Sequence, residues 1–181
     1  MDPVIEIEDW KKGKEMSSII GAIAHCWKQN QDYGQRLVAD LSDEQMILQP
    51  APEGKAPANH PAWVLAHLNT YIPIIEALIE GKEFADPKDA PFGMKSKPEH
   101  DLSIYPGKAE LIGEFVEGHE RVTKLLEGAA PEMLDQPVLL ERWKTRMPSV
   151  GTAMMYLAMC HENQHLGQVS TWRRVQGMPS V

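Results

Sequence analysis

Cysteine is scarce in this chain: Cys26 and Cys160 are the only two in 181 residues, and they lie far apart. Two cysteines make no disulfide framework, so a reducing compartment is the default, and each is expected to be a small core residue rather than a reactive thiol. Strand signals are nearly absent too. PVLLERW (137–143) is the one strand-like run, too short to build a sheet on. No unbroken stretch of about 18 apolar residues could span a bilayer. The opening MDPVIEIEDWKKGKE has neither the hydrophobic run nor the small-residue cleavage site of a secretion signal. Together these absences predict a cytoplasmic protein with no membrane partner. Positive charge is also short: 18 Lys and Arg against 26 Asp and Glu give a net charge of −8. That balance argues against nucleic acid as the main partner, although it allows a local basic patch. A small-molecule substrate is the expected partner.

What the chain does have is helical periodicity, four times over, within a length that predicts a single domain over 1–181 and an N-terminal tail over 1–14. From about residue 15 to 39, Met16, Ile20, Ile23, Trp27 and Leu37 step by three and four; Asn30 and Gly34 fall on the same stripe. Ser42 to Gln45 has capping-box spacing and predicts a short helical turn. QPAPEGKAPAN (49–59) is a proline-rich loop. A second helix opens at Asn59-His60-Pro61 and carries Trp63, Val64, His67, Leu68, Tyr71, Ile74, Ile75 and Leu78 on one broad face. Pro73 inside it predicts a kink, and Gly81 a stop. Residues 82–107 form a long connection, which in a four-helix bundle permits a crossover. The third helix, about 108–126, turns Leu111, Phe115 and Val122 inward. An irregular segment over 129–150 leads to a fourth helix that opens at Ser149 or Gly151 and ends near Gln176. There Gly177 suits a left-handed position, Pro179 follows, and Arg173 and Arg174 suit the last turn. The expected fold is all-α, a bundle of four main helices.

The fourth helix holds His161-Glu162-Asn163-Gln164-His165, the H-E-x-x-H spacing of zinc proteases. Residues four apart project from one helix face with Cβ atoms about 5–6 Å apart, close enough for two imidazoles to grip one metal ion. The pair continues the apolar stripe of Met154, Leu157 and Ala158, where unpartnered imidazoles would be costly. Zinc proteases take their third ligand downstream. After His165 the chain reads LGQVSTWRRVQGMPSV, without His, Asp, Glu or Cys, so the protease layouts are excluded. A third ligand must come from upstream. His67, on the inner stripe of helix two, is the leading candidate; His60, two turns earlier and expected near the surface where the helix opens, is the reserve. His119, on the inner side of helix three, reads as a hydrogen-bonded core residue or a partner of the ligands. His25 and His100 read as solvated. Glu162 is either a general base turned toward the metal or, the reading favoured because it suits a surface pair with Arg or Lys, a solvated charge at the helix edge. Trp63, Tyr71 and Trp172 are core residues unless they contact substrate.

Trp63-Val64-Leu65-Ala66-His67-Leu68, together with H-x-x-x-H, L-G-Q, an Arg pair and Gly-x-Pro over 161–179, resembles the DinB/YfiT-like superfamily. The resemblance implies a four-helix bundle with a crossover between helices two and three. It implies a His triad, here His67, His161 and His165, holding a divalent transition metal. Zinc or nickel is foremost among the metals that suit nitrogen ligation, with iron and copper also compatible. It further implies a transferase that activates a low-molecular-weight thiol of the bacillithiol, mycothiol or glutathione type toward a small electrophile. A hydrolase using metal-bound water, a non-catalytic metal-binding protein, and a bundle working by association with incidental histidines all remain open. A homodimer is compatible with a bundle of this size.

Overall fold

The computed structural model describes residues 18–49 and 58–181. The 1–14 tail, the start of the first helix near residue 15 and most of the proline-rich loop lie outside the described residues. Four long helices form the body. Helix α1 (Ile19–Val38) starts at Ser18, whose side chain accepts the Gly21 N–H. Helix α2 (Pro61–Glu80) ends at Gly81 in the left-handed conformation, φ 67°. Helix α3 spans Lys108–Gly128. The fourth, α4, is a stack of α-helix Val150–Met155, π-helix Tyr156–His161 and α-helix Glu162–Val175. No strand occurs among the described residues, where Pro137 and Ser149 make one isolated bridge. The capping box at Ser42 and Gln45 opens a one-turn helix, Asp43–Met46. Pro73 lies inside α2 without ending it, on the exposed side.

Cross-helix pairs give the topology. Asn69 of α2 bonds the Leu111 carbonyl of α3 and Glu76 pairs with Arg121, so both numbers rise together and the helices run parallel. Between α1 and α3 they run oppositely: Trp27 bonds the His119 carbonyl, Gln31 that of Val116, and Lys108 that of Ala39. Helices α1 and α4 are parallel (Asn30 to Ala158, Arg173 to Leu37), and α2 and α4 antiparallel (Asn59 to Gln168, His67 to His161). This is up-down-down-up. Two parallel neighbours cannot be joined by a tight turn, because the chain must return along a helix about 30 Å long. Residues 82–107 make that return, as the expected crossover.

The crossover also packs against α2 on its way back. Ser96 accepts the Trp63 indole N–H at 3.0 Å, and the Phe92 carbonyl meets His67. Two apolar clusters fill the bundle, one around Ile23, Trp27, Ile72, Ile75, Val122 and Leu157, the other around Leu37, Leu65, Phe115, Leu166 and Trp172. Where they meet, every long helix contributes a buried or half-buried polar residue: Asn30, His67, His119, and His161 with Glu162. Helix α2 is the one described helix apolar enough to cross a membrane by length and composition, and 72% of that stretch is buried inside the bundle.

Candidate metal centre

His67 on α2 faces His161 and His165 on α4, and one ring nitrogen from each lies within 4.8 Å of the others. His67 Nε2 and His161 Nε2 are 3.0 Å apart. Nitrogens bound at about 2.0–2.1 Å to one tetrahedral zinc would sit roughly 3.3 Å apart, so this pair is already near ligand spacing. Two of the outer nitrogens are held. His67 donates its Nδ1–H to the Phe92 carbonyl at 2.6 Å, which fixes the tautomer with a lone pair on Nε2. His165 donates Nδ1–H to Gln168 Oε1 at 3.0 Å, and Asn59 donates to that same oxygen at 2.9 Å. Trp63 stacks on the His67 ring with centroids 4.7 Å apart.

Burial keeps all three imidazoles neutral. It is the main cause that pushes His67 from 6.5 down to about 4 and His161 down to about 3, with the neighbouring histidines adding to the shift. His165 is lowered by burial as well, partly offset by Gln168. Neutral imidazoles, two of them with pre-set tautomers, come close to the protonation state a divalent ion needs. The donor set therefore fits a metal, and the three residues could hold one.

The other histidines have different roles. His60 caps α2: its Nδ1 accepts the Trp63 N–H at 3.2 Å and its Nε2–H goes to the Glu99 carbonyl at 3.0 Å. Both nitrogens are used, so the reserve ligand is unavailable. The surface position expected for it is wrong, since the crossover covers it completely. His25 and His100 are exposed as expected, although His100 Nδ1 reaches the Ile47 carbonyl. Cys160 is exposed and Cys26 half-buried, so the expectation that both are core residues fails. Trp172 is core, its indole bonded to the Leu48 carbonyl. Arg173 does more than suit a helix end: it is buried and forks onto Asp40 while reaching the Leu37 carbonyl.

Glu162 departs furthest from expectation. It is 2% exposed, with Oε1 at 2.6 Å from His119 Nε2 and Oε2 accepting from Asn30 at 3.0 Å. His119 donates its Nδ1–H to the Phe115 carbonyl, so one proton lies between His119 Nε2 and the carboxyl. Both carboxyl oxygens point toward α1 and α3, away from the triad. Glu162 is neither a solvated charge nor a base at the metal. The π-helix explains why. The Glu162 N–H bonds Leu157 O, five residues back, which inserts one extra residue into the turn. The buried stripe of 153, 154, 157 and 158 consequently resumes at 162, 165, 166 and 169, one residue later than an unbroken α-helix would place it. Glu162 moves inward and His161 moves to the edge, facing α2. Asn30 also donates to the Ala158 carbonyl at 2.7 Å, inside the π segment. The signal available in sequence was the polar Asn30 on the α1 stripe at the level of His119.

Beside the triad opens a cavity of about 450 Å³, walled by Trp63, Tyr71, Arg142, Trp143, Tyr156 and residues near them. A family model described as DinB superfamily matches residues 27–169. No curated protein sequence matches the chain.

Proposed function

Because this chain belongs to the DinB superfamily, we propose that His67, His161 and His165 bind one divalent transition metal and that the protein uses it to transfer a small thiol to an electrophile. The observation that carries this reading is the convergence of three neutral imidazoles, two of them oriented through their outer nitrogens, at the wall of a cavity. Three protein ligands leave a coordination position open, the mark of a working rather than a structural site. When bound, the ion supplies Lewis acidity that holds a small thiol as its thiolate near neutral pH.

The chain's own residues do the rest. Phe92 and Gln168 keep the ligand nitrogens aimed at one point, and Trp63 stacked on His67 walls that ring off from bulk water. Tyr71 packs against both His67 and His161, and burial pushes its hydroxyl pKa upward, so it stays a protonated donor beside the site. A cavity of this volume suits a small-molecule thiol together with a compact electrophile. Glu162 takes no part, since His119 and Asn30 occupy its carboxyl oxygens.

The test is a coupled assay with an aryl chloride as electrophile and a panel of small thiols. The carbon–sulfur bond forms, chloride leaves, and the thiol proton passes to buffer. The expected result is thioether formation that requires added zinc, nickel or cobalt and is lost in His67→Ala. Equal rates with and without metal would overturn the thiol-transfer reading.

A further inference from the structure

We propose that the ligand taken at this site carries a carboxylate, gripped by Arg146 together with the free edge of Arg142. This deepens the thiol-transfer reading and rests on the same cavity. The residues lining it include two arginines and no Asp or Glu, in a chain whose net charge is −8. Acidic residues outnumber basic ones elsewhere, so a cavity wall with only positive charge is a local reversal, and a divalent ion would add to it. Arg142 is already half engaged: Nε and Nη2 hold the two Asp86 oxygens at 2.7 and 2.6 Å. Its Nη1 makes no hydrogen bond among the described residues. Arg146 makes no ion pair or side-chain hydrogen bond among them, so its planar fork is available to a carboxylate.

The turn that carries the two arginines is held in place. Trp143 and Met147 are buried in the apolar cluster, and Trp143 packs on Phe84 with ring centroids 5.5 Å apart. The Arg146 and Met147 N–H groups both bond the Trp143 carbonyl, at 3.0 and 2.8 Å. This one turn buries positions 143 and 147 and displays 142 and 146. Asp86 comes from the crossover, so its pair with Arg142 ties the crossover to this turn at the cavity wall. An acid-bearing thiol or electrophile would place its sulfur or reacting carbon near the triad and its carboxylate at the arginines.

The experiment uses cobalt-loaded protein and three probes of similar size: 3-mercaptopropionate, 3-mercapto-1-propanol and cysteamine. Calorimetry gives each Kd, and the near-ultraviolet cobalt–thiolate band reports sulfur on the metal. The acid is expected to bind about tenfold tighter than the alcohol and cysteamine weakest, as a charge-assisted fork predicts. Arg146→Met should erase that preference while leaving the alcohol's Kd and the cobalt stoichiometry unchanged; Arg146→Lys should keep part of it. Arg146 is exposed, so neither change threatens folding. Equal Kd values for acid and alcohol, a preference indifferent to Arg146→Met, or no binding of any probe would overturn the proposal. Arg146-dependent binding of the acid without a cobalt–thiolate band would uphold it and instead sink the thiol-transfer reading.

Discussion

His67 shows how packing sets the charge and tautomer of a single side chain. The Phe92 carbonyl decides which nitrogen carries the proton, and burial decides that there is only one. The same burial has a thermodynamic consequence in metal-free protein. His67 titrates near 4 when folded against an ordinary 6.5, and His161 lower still. Between those values the unfolded chain takes up protons that the folded chain refuses, so acidification favours unfolding. The full contribution is present above pH 6.5 and drains away below it, by about 2 kcal/mol at pH 5 for His67 alone. Urea unfolding of metal-free protein from pH 7.5 to 5 should show the fall; constant stability over that range would contradict the neutral, buried state. His161 and His165 were legible as a pair because two imidazoles four residues apart on an apolar stripe need a common partner, and His67 because it stood on the facing stripe. Glu162 was not legible, since its burial depends on a change of helical register and not on its own neighbours in the sequence.

At the scale of the element, the π segment in α4 governs the site. Local rules placed the ends of the helices well: the Ser42 capping box and the glycines at 81 and 177 appear as read, with left-handed φ at both glycines. Nothing in YLAMCH announces a π turn, because the partner that bonds its Ala158 carbonyl is Asn30, more than a hundred residues away. The His119–Glu162–Asn30 chain therefore pins the register that aims His161 at α2. Removing one member of the buried pair leaves the other without its partner, a cost of about 3–5 kcal/mol, whereas replacing both with apolar residues avoids most of it. Glu162→Leu should accordingly destabilise the protein far more than the double change His119→Leu with Glu162→Leu, by urea unfolding. Additive losses in that double-mutant cycle would show that the two residues are not coupled. His60 carries the same lesson about neighbours. Its place at the start of α2 was readable, but its burial is imposed by the crossover folding back over it.

For the whole molecule, the up-down-down-up arrangement brings the facing positions together. Antiparallel packing of α2 against α4 sets His67 opposite His161 and His165, while the crossover that parallel α2 and α3 require supplies Phe92 behind His67 and Asp86 beside Arg142. Four amphipathic stripes were enough to foresee the bundle; the long connection permitted a crossover, which the family resemblance implied. The cavity beside the triad was not foreseeable, because its arginines sit in the irregular 129–150 segment, which carries no periodicity. All of this turns on whether the triad is a metal site. Elemental analysis of untagged protein purified without a metal column, beside His67→Ala prepared the same way, decides it. The account predicts about one equivalent of a transition metal in the parent and its loss in the variant. A parent without metal after incubation with zinc, nickel or cobalt, or a variant that retains the parent's metal, would contradict it.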